Sequence, residues 1–343
     1  MEIQENVPLS ALTTLRTGGP ARFLLSLDSA EEISDALAFA EKEKLPLIPL
    51  GAGSNMLAPD AGVSAVFVRL NTKHLFTERK GDRVFVTADA GVVWDELVLR
   101  AVSEGWWRTE NLSAIPGTVG AAVVQNIGAY GAALSDTLFS VRAFDTVEKK
   151  FKMFTNEACG FGYRTSIFKR AADRYLIAEV TLALGTKPLP NLGYKDLAAH
   201  FAGNPAPSLS EIREAVIRIR QGKFPPLSEF GTAGSFFLNP LISNADSEDI
   251  KERFPDMPLF PLPEGDLKVP LAWILDRVLN LKGRRVGKAF LWEKQPLVIA
   301  AEFGAASDEV ISLAHSVRHD VLEKTGIKII PEVRMLGDDF FSA

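Results

Sequence analysis

Three side chains in this sequence sit where they could act on a bound molecule. Ser235 lies in the run Ala233-Gly-Ser-Phe-Phe237, between a glycine and two aromatics. A hydroxyl held by a glycine turn against apolar walls can deliver a proton in a dry site. Its unperturbed acidity is very weak, so only a strong base such as a carbanion would take that proton. The same run also fits a strand turning into the core. Glu332 follows Pro331 among apolar neighbours, and Arg164 stands between Tyr163 and Thr165. Either could belong to a reacting site or be half of a structural ion pair.

Two glycine loops suggest a different kind of chemistry. One is Pro49-Leu-Gly-Ala-Gly-Ser-Asn55. The other is Asn111–Gly131, which lies in a segment with no Asp, Glu, Lys or Arg between Glu110 and Asp136. Glycine allows positive φ and brings backbone N–H groups close to a ligand, which suits a flat or phosphorylated cofactor. A buried helix or strand pair is the competing reading of the longer stretch. A membrane span is not, because its pure apolar run Ala121–Val124 falls far short of the roughly 20 residues required. Gly51–Asn55 is neither a G-x-G-x-x-G fingerprint nor a Walker loop. Gly283-Arg-Arg-Val-Gly-Lys288 reads as a solvated basic turn. His315 and His319 are spaced as a possible ligand pair on a helix, but no other His or Cys lies near in sequence, and no metal is expected. Cys159 reads as a small core residue.

The chain as a whole sets wide bounds. Its 343 residues suggest two or three domains, and 47% hydrophobic with 24% charged residues is ordinary for a globular protein. A net charge of −5 argues against general nucleic-acid or membrane-surface binding. One cysteine excludes an internal disulfide and any Cys-rich zinc or iron–sulfur site. The N-terminus, Met-Glu-Ile-Gln-Glu-Asn, has no basic region followed by an apolar core, so a cytoplasmic protein without a secretory signal is expected.

Residues 22–27 read as a strand, Ser29 and Glu32 as a capping box for a helix to about Lys44, and 45–50 and 65–70 as strands. These form a small α/β lobe. A strand at 83–88, a helix over 92–104 and strands at 138–144, 150–154 and 175–184 make a second lobe, with a composition change at 185–190. Ser208 and Glu211 open a helix to about Gln221. Further helices are expected at 246–254, 270–281 and 307–325, and then a strand over 327–336 interrupted by Pro331.

Motifs spread along the chain then point to a family. They are Leu12-Thr-Thr-Leu-Arg-Thr-Gly18, Gly51-Ala-Gly-Ser-Asn55, Ile115-Pro-Gly-Thr-Val-Gly120, Gln125-Asn-Ile-Gly-Ala-Tyr-Gly131, Phe161-Gly-Tyr-Arg-Thr-Ser166, Ala233–Phe237, Asn239-Pro240 and Pro331-Glu-Val-Arg334. With them the chain resembles the UDP-N-acetylenolpyruvoylglucosamine reductases, flavoenzymes of peptidoglycan precursor synthesis. The resemblance implies an α+β protein with a PCMH, or vanillyl-alcohol-oxidase-type, FAD-binding fold of two α/β lobes and a third, substrate-binding α+β domain. The implied division is 1–71 with 326–343 for the first lobe, 72–205 for the second and 206–325 for the third, with the FAD-binding region at about 16–187. The tyrosine loop at Tyr194 resembles the first of the family's two subtypes.

Carried over residue by residue, the catalytic set falls on Arg164, Ser235 and Glu332. Non-covalent FAD contacts fall on Gly51, Ala52, Gly53, Ser54, Asn55, Ile115, Pro116, Gly117, Thr118, Gly120, Gln125, Asn126, Gly128, Tyr130, Arg220 and Arg334. Substrate contacts fall on Tyr194, Lys223, Asn239 and Gln295. NADPH is the implied reductant co-substrate, and the implied partners are small molecules alone, acting on a monomer. In the implied mechanism hydride reaches the β-carbon of the enolpyruvyl ether. Arg164 and Glu332 (the latter with a protonated or shared-proton carboxyl) stabilise the enolate, and Ser235 protonates the α-carbon. One departure is visible: Ala121 and Ala122 stand where many members carry serines, so any FAD contact there must come from backbone or Thr118. A flavin oxidase of the same fold and a nucleotide-sugar-binding protein without turnover are the competing readings.

Overall fold

Along Tyr175–Gly185, buried residues alternate with half-buried ones from Val180 on, as expected of a strand packed on one face. This strand is the centre of an antiparallel sheet ordered 150–155, 138–145, 175–185, 83–89, 75–80. The computed structural model describes residues 1–262 and 265–337. It divides into two compact units, one formed by Met1–Val7, Ala21–Gly53 and Ser64–Gly222, the other by Pro8–Pro20, Ser54–Val63 and the chain from Lys223 onward. The expected terminal segment extends to 343, and residues 338–343 lie outside the described residues.

The first unit has two cores. In the smaller one, strands Glu2–Pro8, Pro20–Leu27, Val63–Leu70 and Leu47–Pro49 form a sheet in that order, the last pair parallel. Helix Ile33–Glu43 covers it with Ile33, Ala36, Leu37 and Ala40, the i, i+3, i+4, i+7 stripe of an amphipathic helix. The expected Ser29–Glu32 capping box does not form. Glu32 is itself the N-cap residue, and its carboxylate accepts the Asp28 amide at 2.8 Å and the Met1 ammonium at 2.7 Å. The larger core lies on the five-stranded sheet beneath helix Trp94–Ser103 and helix Leu209–Lys223. Here the expected box is real: Ser208 Oγ accepts the Glu211 amide, and the Glu211 carboxylate accepts the Ser208 amide. Cys159 is fully buried in this core, and burial pushes its thiol up to about 12, as befits a packing residue.

In the second unit, strands Gly231–Ser235, Val298–Ala301, Ala289–Leu291 and Arg285–Val286 form one antiparallel sheet. Helix Ser307–Thr325 packs into the same core through Val310, Leu313, Ala314, Val317 and Val321, and stops at Gly326 with φ +76°. The helix expected over 270–281 is α-helical only at Leu271–Trp273 and continues as a π-helix over Ile274–Val278. The tail is not one strand: Pro331 makes a single bridge with Phe237, and only Arg334–Met335 pairs in parallel with Met56–Leu57. Pro331 has no N–H to extend a ladder. Among the described residues no helix is long and apolar enough to cross a membrane.

Asp145, buried at the end of a strand, gathers a cluster of charged and amide partners. Arg174 reaches it at 3.2 and 2.9 Å, Lys152 at 2.8 Å, and the amides of Val147 and Glu148 at 3.0 and 3.2 Å. The Arg174 guanidinium first, then Lys152 and the two amides, hold its carboxyl far below the usual carboxylate range despite burial. A carboxyl depressed by folding stabilises fully above its unfolded value of about 4 and less as pH falls below it. Asp145→Asn should therefore lower the thermal midpoint at pH 7, with a gap to the parent that narrows as pH drops from 5 to 3. An unchanging gap would trace the loss to packing instead.

Candidate active site

Strand Leu47–Pro49 delivers the first glycine loop to a position where its backbone touches the second. A β-carbon on Gly51 would lie 2.9 Å from Ala121 Cβ and 3.0 Å from Thr118 Oγ1, so only glycine fits between them. Gly117, with φ +142°, turns the second loop into the short helix Val119–Val124, whose N-cap Thr118 accepts the Ala121 amide at 3.4 Å. Of the two alanines that stand in place of serine, Ala121 faces Gly51 and Ala122 is buried in the core.

The segment after that helix is fastened to the turn carrying Arg164. Gly162 and Thr165 close the turn by backbone bonds of 3.1 and 3.3 Å, with Arg164 in the left-handed region at φ +54°. Ser166 Oγ donates to Val124 O at 2.5 Å, Asn126 Nδ2 to Gly162 O at 3.3 Å, and Arg164 Nη2 to Gly128 O at 2.6 Å. Asn126 also accepts the Ser135 amide at 3.0 Å, so its side chain is engaged within the protein. Gln125 is half-buried beside it. Tyr130 is buried, and its ring meets that of Tyr194 edge-to-face at 5.2 Å, while Tyr194 remains 41% exposed. Burial pushes the Tyr130 phenol up to about 12, and its hydroxyl is bonded to Arg220. Burial in turn lowers the Arg220 guanidinium from its ordinary value. Ile115, Pro116 and Gly120 complete this set, Gly120 packed so closely on Ala90 that a β-carbon there would lie only 2.7 Å from Ala90 Cβ.

The second unit gathers the other residues by backbone bonds. Its strand Gly231–Ser235 is irregular between Thr232 and Ser235, where Gly234 takes φ +79°. A bulge re-aims the side chain that follows it, here Ser235, which is half-buried. Phe236 and Phe237 after it are 1% exposed. Glu332 N donates to Phe236 O at 2.9 Å, Asn55 Nδ2 to Glu332 O at 3.2 Å, and Arg334 N to Asn55 O at 3.0 Å. Ser235, Glu332, Asn55 and Arg334 thus share one framework, with Ser54 next in chain. Asn239 Oδ1 accepts the Leu271 amide at 3.0 Å. Gln295 lies in the turn leading to Val298, the residue paired with Ser235. Lys223 is half-buried at the end of its helix. The three residues expected to be catalytic are divided, Arg164 in the first unit and Ser235 and Glu332 in the second.

Asp95, Trp94 and Arg213, which hold the segment just before Ile115, escaped the sequence reading. The only hint was Arg213 and Arg220 seven residues apart on one helix face. His315 and His319 are exposed, and the basic turn is tied down by Arg284–Asp320 and Arg285–Glu302 ion pairs.

Comparison with known proteins accounts for this arrangement. Residues 21–149 match the family profile of an FAD binding domain, and residues 225–336 match the C-terminal domain of UDP-N-acetylenolpyruvoylglucosamine reductase. The reductase of that name from Ralstonia nicotianae is 37% identical over 344 residues, covering 96% of this chain and 98% of that protein. The one from Bdellovibrio bacteriovorus is 38% identical over 334 residues, covering 97% and 99%. The crystal structure of the Thermus caldophilus enzyme superposes with a TM-score of 0.70 at 25% identity, covering 98% of this chain and all of that one. The residues fit FAD: two close-packed loops turned by positive-φ glycines, Gly53 and Gly117, and a poorly solvated Arg220 beside buried Tyr130 suit a flat cofactor with an anionic diphosphate. The chain belongs to the UDP-N-acetylenolpyruvoylglucosamine reductase family and is an FAD-dependent oxidoreductase.

Proposed function

We propose that the protein reduces UDP-N-acetylglucosamine enolpyruvate to UDP-N-acetylmuramate in the cytoplasm, with NADPH as reductant and Ser235 as proton donor. The observation that carries this reading is the bulge at Ser235, backed by two buried aromatics and tied through Phe236 O to the amide of Glu332. When bound, FAD would supply the hydride that the β-carbon of the enol ether accepts. The electron pair left on the α-carbon spreads into the adjoining carboxylate. Arg164 and Glu332 hold this enolate by hydrogen bonds, Glu332 as a protonated or proton-sharing carboxyl. Ser235 then gives its proton to the α-carbon, completing the lactyl ether. So weak an acid suffices because the acceptor is a carbon base formed only in passing.

The remaining residues bind and orient. Gly51–Asn55 and Ile115–Gly120 present backbone to the cofactor, with Gln125, Asn126, Gly128 and Tyr130 along the flavin and Arg220 and Arg334 as its cations. Lys223 neutralises the diphosphate of the sugar nucleotide, Tyr194 folds over it, and Asn239 and Gln295 complete its contacts.

Two experiments test these roles. Under anaerobic conditions, Ser235→Ala should lose its yellow colour with NADPH at nearly the parent rate, whereas return of colour on adding the enolpyruvyl sugar nucleotide should slow by ~10²–10⁴. Equal slowing of both halves would remove Ser235 from the proton-donor role. Lys223→Ala should raise KM for the sugar nucleotide far more than it lowers kcat, and an unchanged KM would count against diphosphate binding.

A further inference from the structure

Ala114, the residue before Ile115, has φ +56°, a setting that an alanine keeps only where its surroundings over-determine it. Its amide donates to Asp95 Oδ1 at 2.6 Å, and its carbonyl accepts from Arg220 Nε at 3.1 Å. Asp95 is in turn gripped on both oxygens by Arg213, Nη1 at 2.6 Å and Nη2 at 2.8 Å. Arg213 is 9% exposed and stands two turns before Arg220 on helix Leu209–Lys223. Trp94, next to Asp95 and fully buried, donates its indole N–H to Leu112 O at 2.9 Å and its backbone N–H to Gly117 O at 3.1 Å. Val119 N donates to Val92 O at 2.8 Å. The start of helix Trp94–Ser103 therefore holds the segment on both sides of Ile115 and Pro116, and Asp95 contributes a charge to that hold.

We propose that Asp95 is a positioning residue for the cofactor: locked by Arg213, it keeps Ala114 left-handed so that the backbone of Ile115–Gly117 is set for FAD before FAD arrives. This rests on the reading of Ile115–Gly120 as a cofactor loop. A bidentate guanidinium–carboxylate pair is suited to the task because it fixes the plane of the carboxylate, leaving one oxygen aimed at the Ala114 amide. The same helix then carries that geometry to Arg220, which bonds both Ala114 O and the Tyr130 hydroxyl. Preorganisation of this kind raises affinity by removing the ordering cost from the binding step.

The test is release of flavin from diluted holoenzyme, followed by the fluorescence of free FAD, with urea unfolding measured in parallel. Asp95→Ala should weaken FAD binding by at least roughly tenfold and blur the vibrational structure of the bound flavin absorption band. Asp95→Asn, which keeps an acceptor for Ala114 N–H but not the charge held by Arg213, should fall between parent and Asp95→Ala. If Asp95→Ala does not fold, Asp95→Asn decides, its FAD affinity being either reduced or equal to the parent's. A lowered urea midpoint with unchanged FAD affinity and spectrum would make Asp95 a structural residue and overturn the proposal. Gly117→Ala serves as the control. If it too leaves FAD affinity unchanged, the cofactor-loop reading falls along with the proposal, whereas a loss confined to Gly117→Ala overturns the proposal alone.

Discussion

The amide of Glu332 donates to the carbonyl of Phe236, and this one backbone bond joins two stretches of the second unit almost a hundred residues apart in sequence. It fixes the strand carrying Ser235 against the segment carrying Glu332, so neither side chain depends on a flexible loop for its place. The neighbouring bonds, Leu238 N to Ile330 O and Phe236 N to Leu297 O, make the grip two-sided. The proton-donor role proposed for Ser235 requires such fixity, since a donor that wanders by an ångström loses much of its advantage.

Electrostatics in the first unit follow a different logic. Arg220 is a cation that burial makes costly, with a buried phenol, a backbone carbonyl and the field of Asp95 around it. Electrostatic interactions at such a site are stronger than at the solvated surface. By contrast Asp145, surrounded by Arg174, Lys152 and two amides, is fully compensated and serves the fold.

Much of the fold was legible in the sequence, and what was missed has physical causes. Long elements with one buried face, such as Tyr175–Gly185 and Ser307–Thr325, declare themselves by periodicity. Two-residue strands such as Arg334–Met335 have no period to read, and the π-helix at Ile274–Val278 looks like any apolar helix. The Ser29–Glu32 pair had the right spacing but lost Glu32 to the chain's own N-terminus, a partner that local pattern cannot supply. In the site, composition exposed the close-approach glycine loops, and family resemblance named FAD. Asp95 and Arg213 were invisible because they are 118 positions apart and neither belongs to a motif.

The second unit draws on residues 8–20 and 54–63 as well as on everything from Lys223 onward. During synthesis those two early pieces emerge long before their partners: Asn55 waits for Glu332 and Arg334, and Thr14 waits for Thr232. Such long-range pairings are slow to form, and the waiting segments stay exposed meanwhile. A nascent chain truncated anywhere before Pro331 would lack the closure that completes the Ser54–Asn55 end of the first glycine loop. Order at Asn55 is thus deferred until the protein is nearly whole.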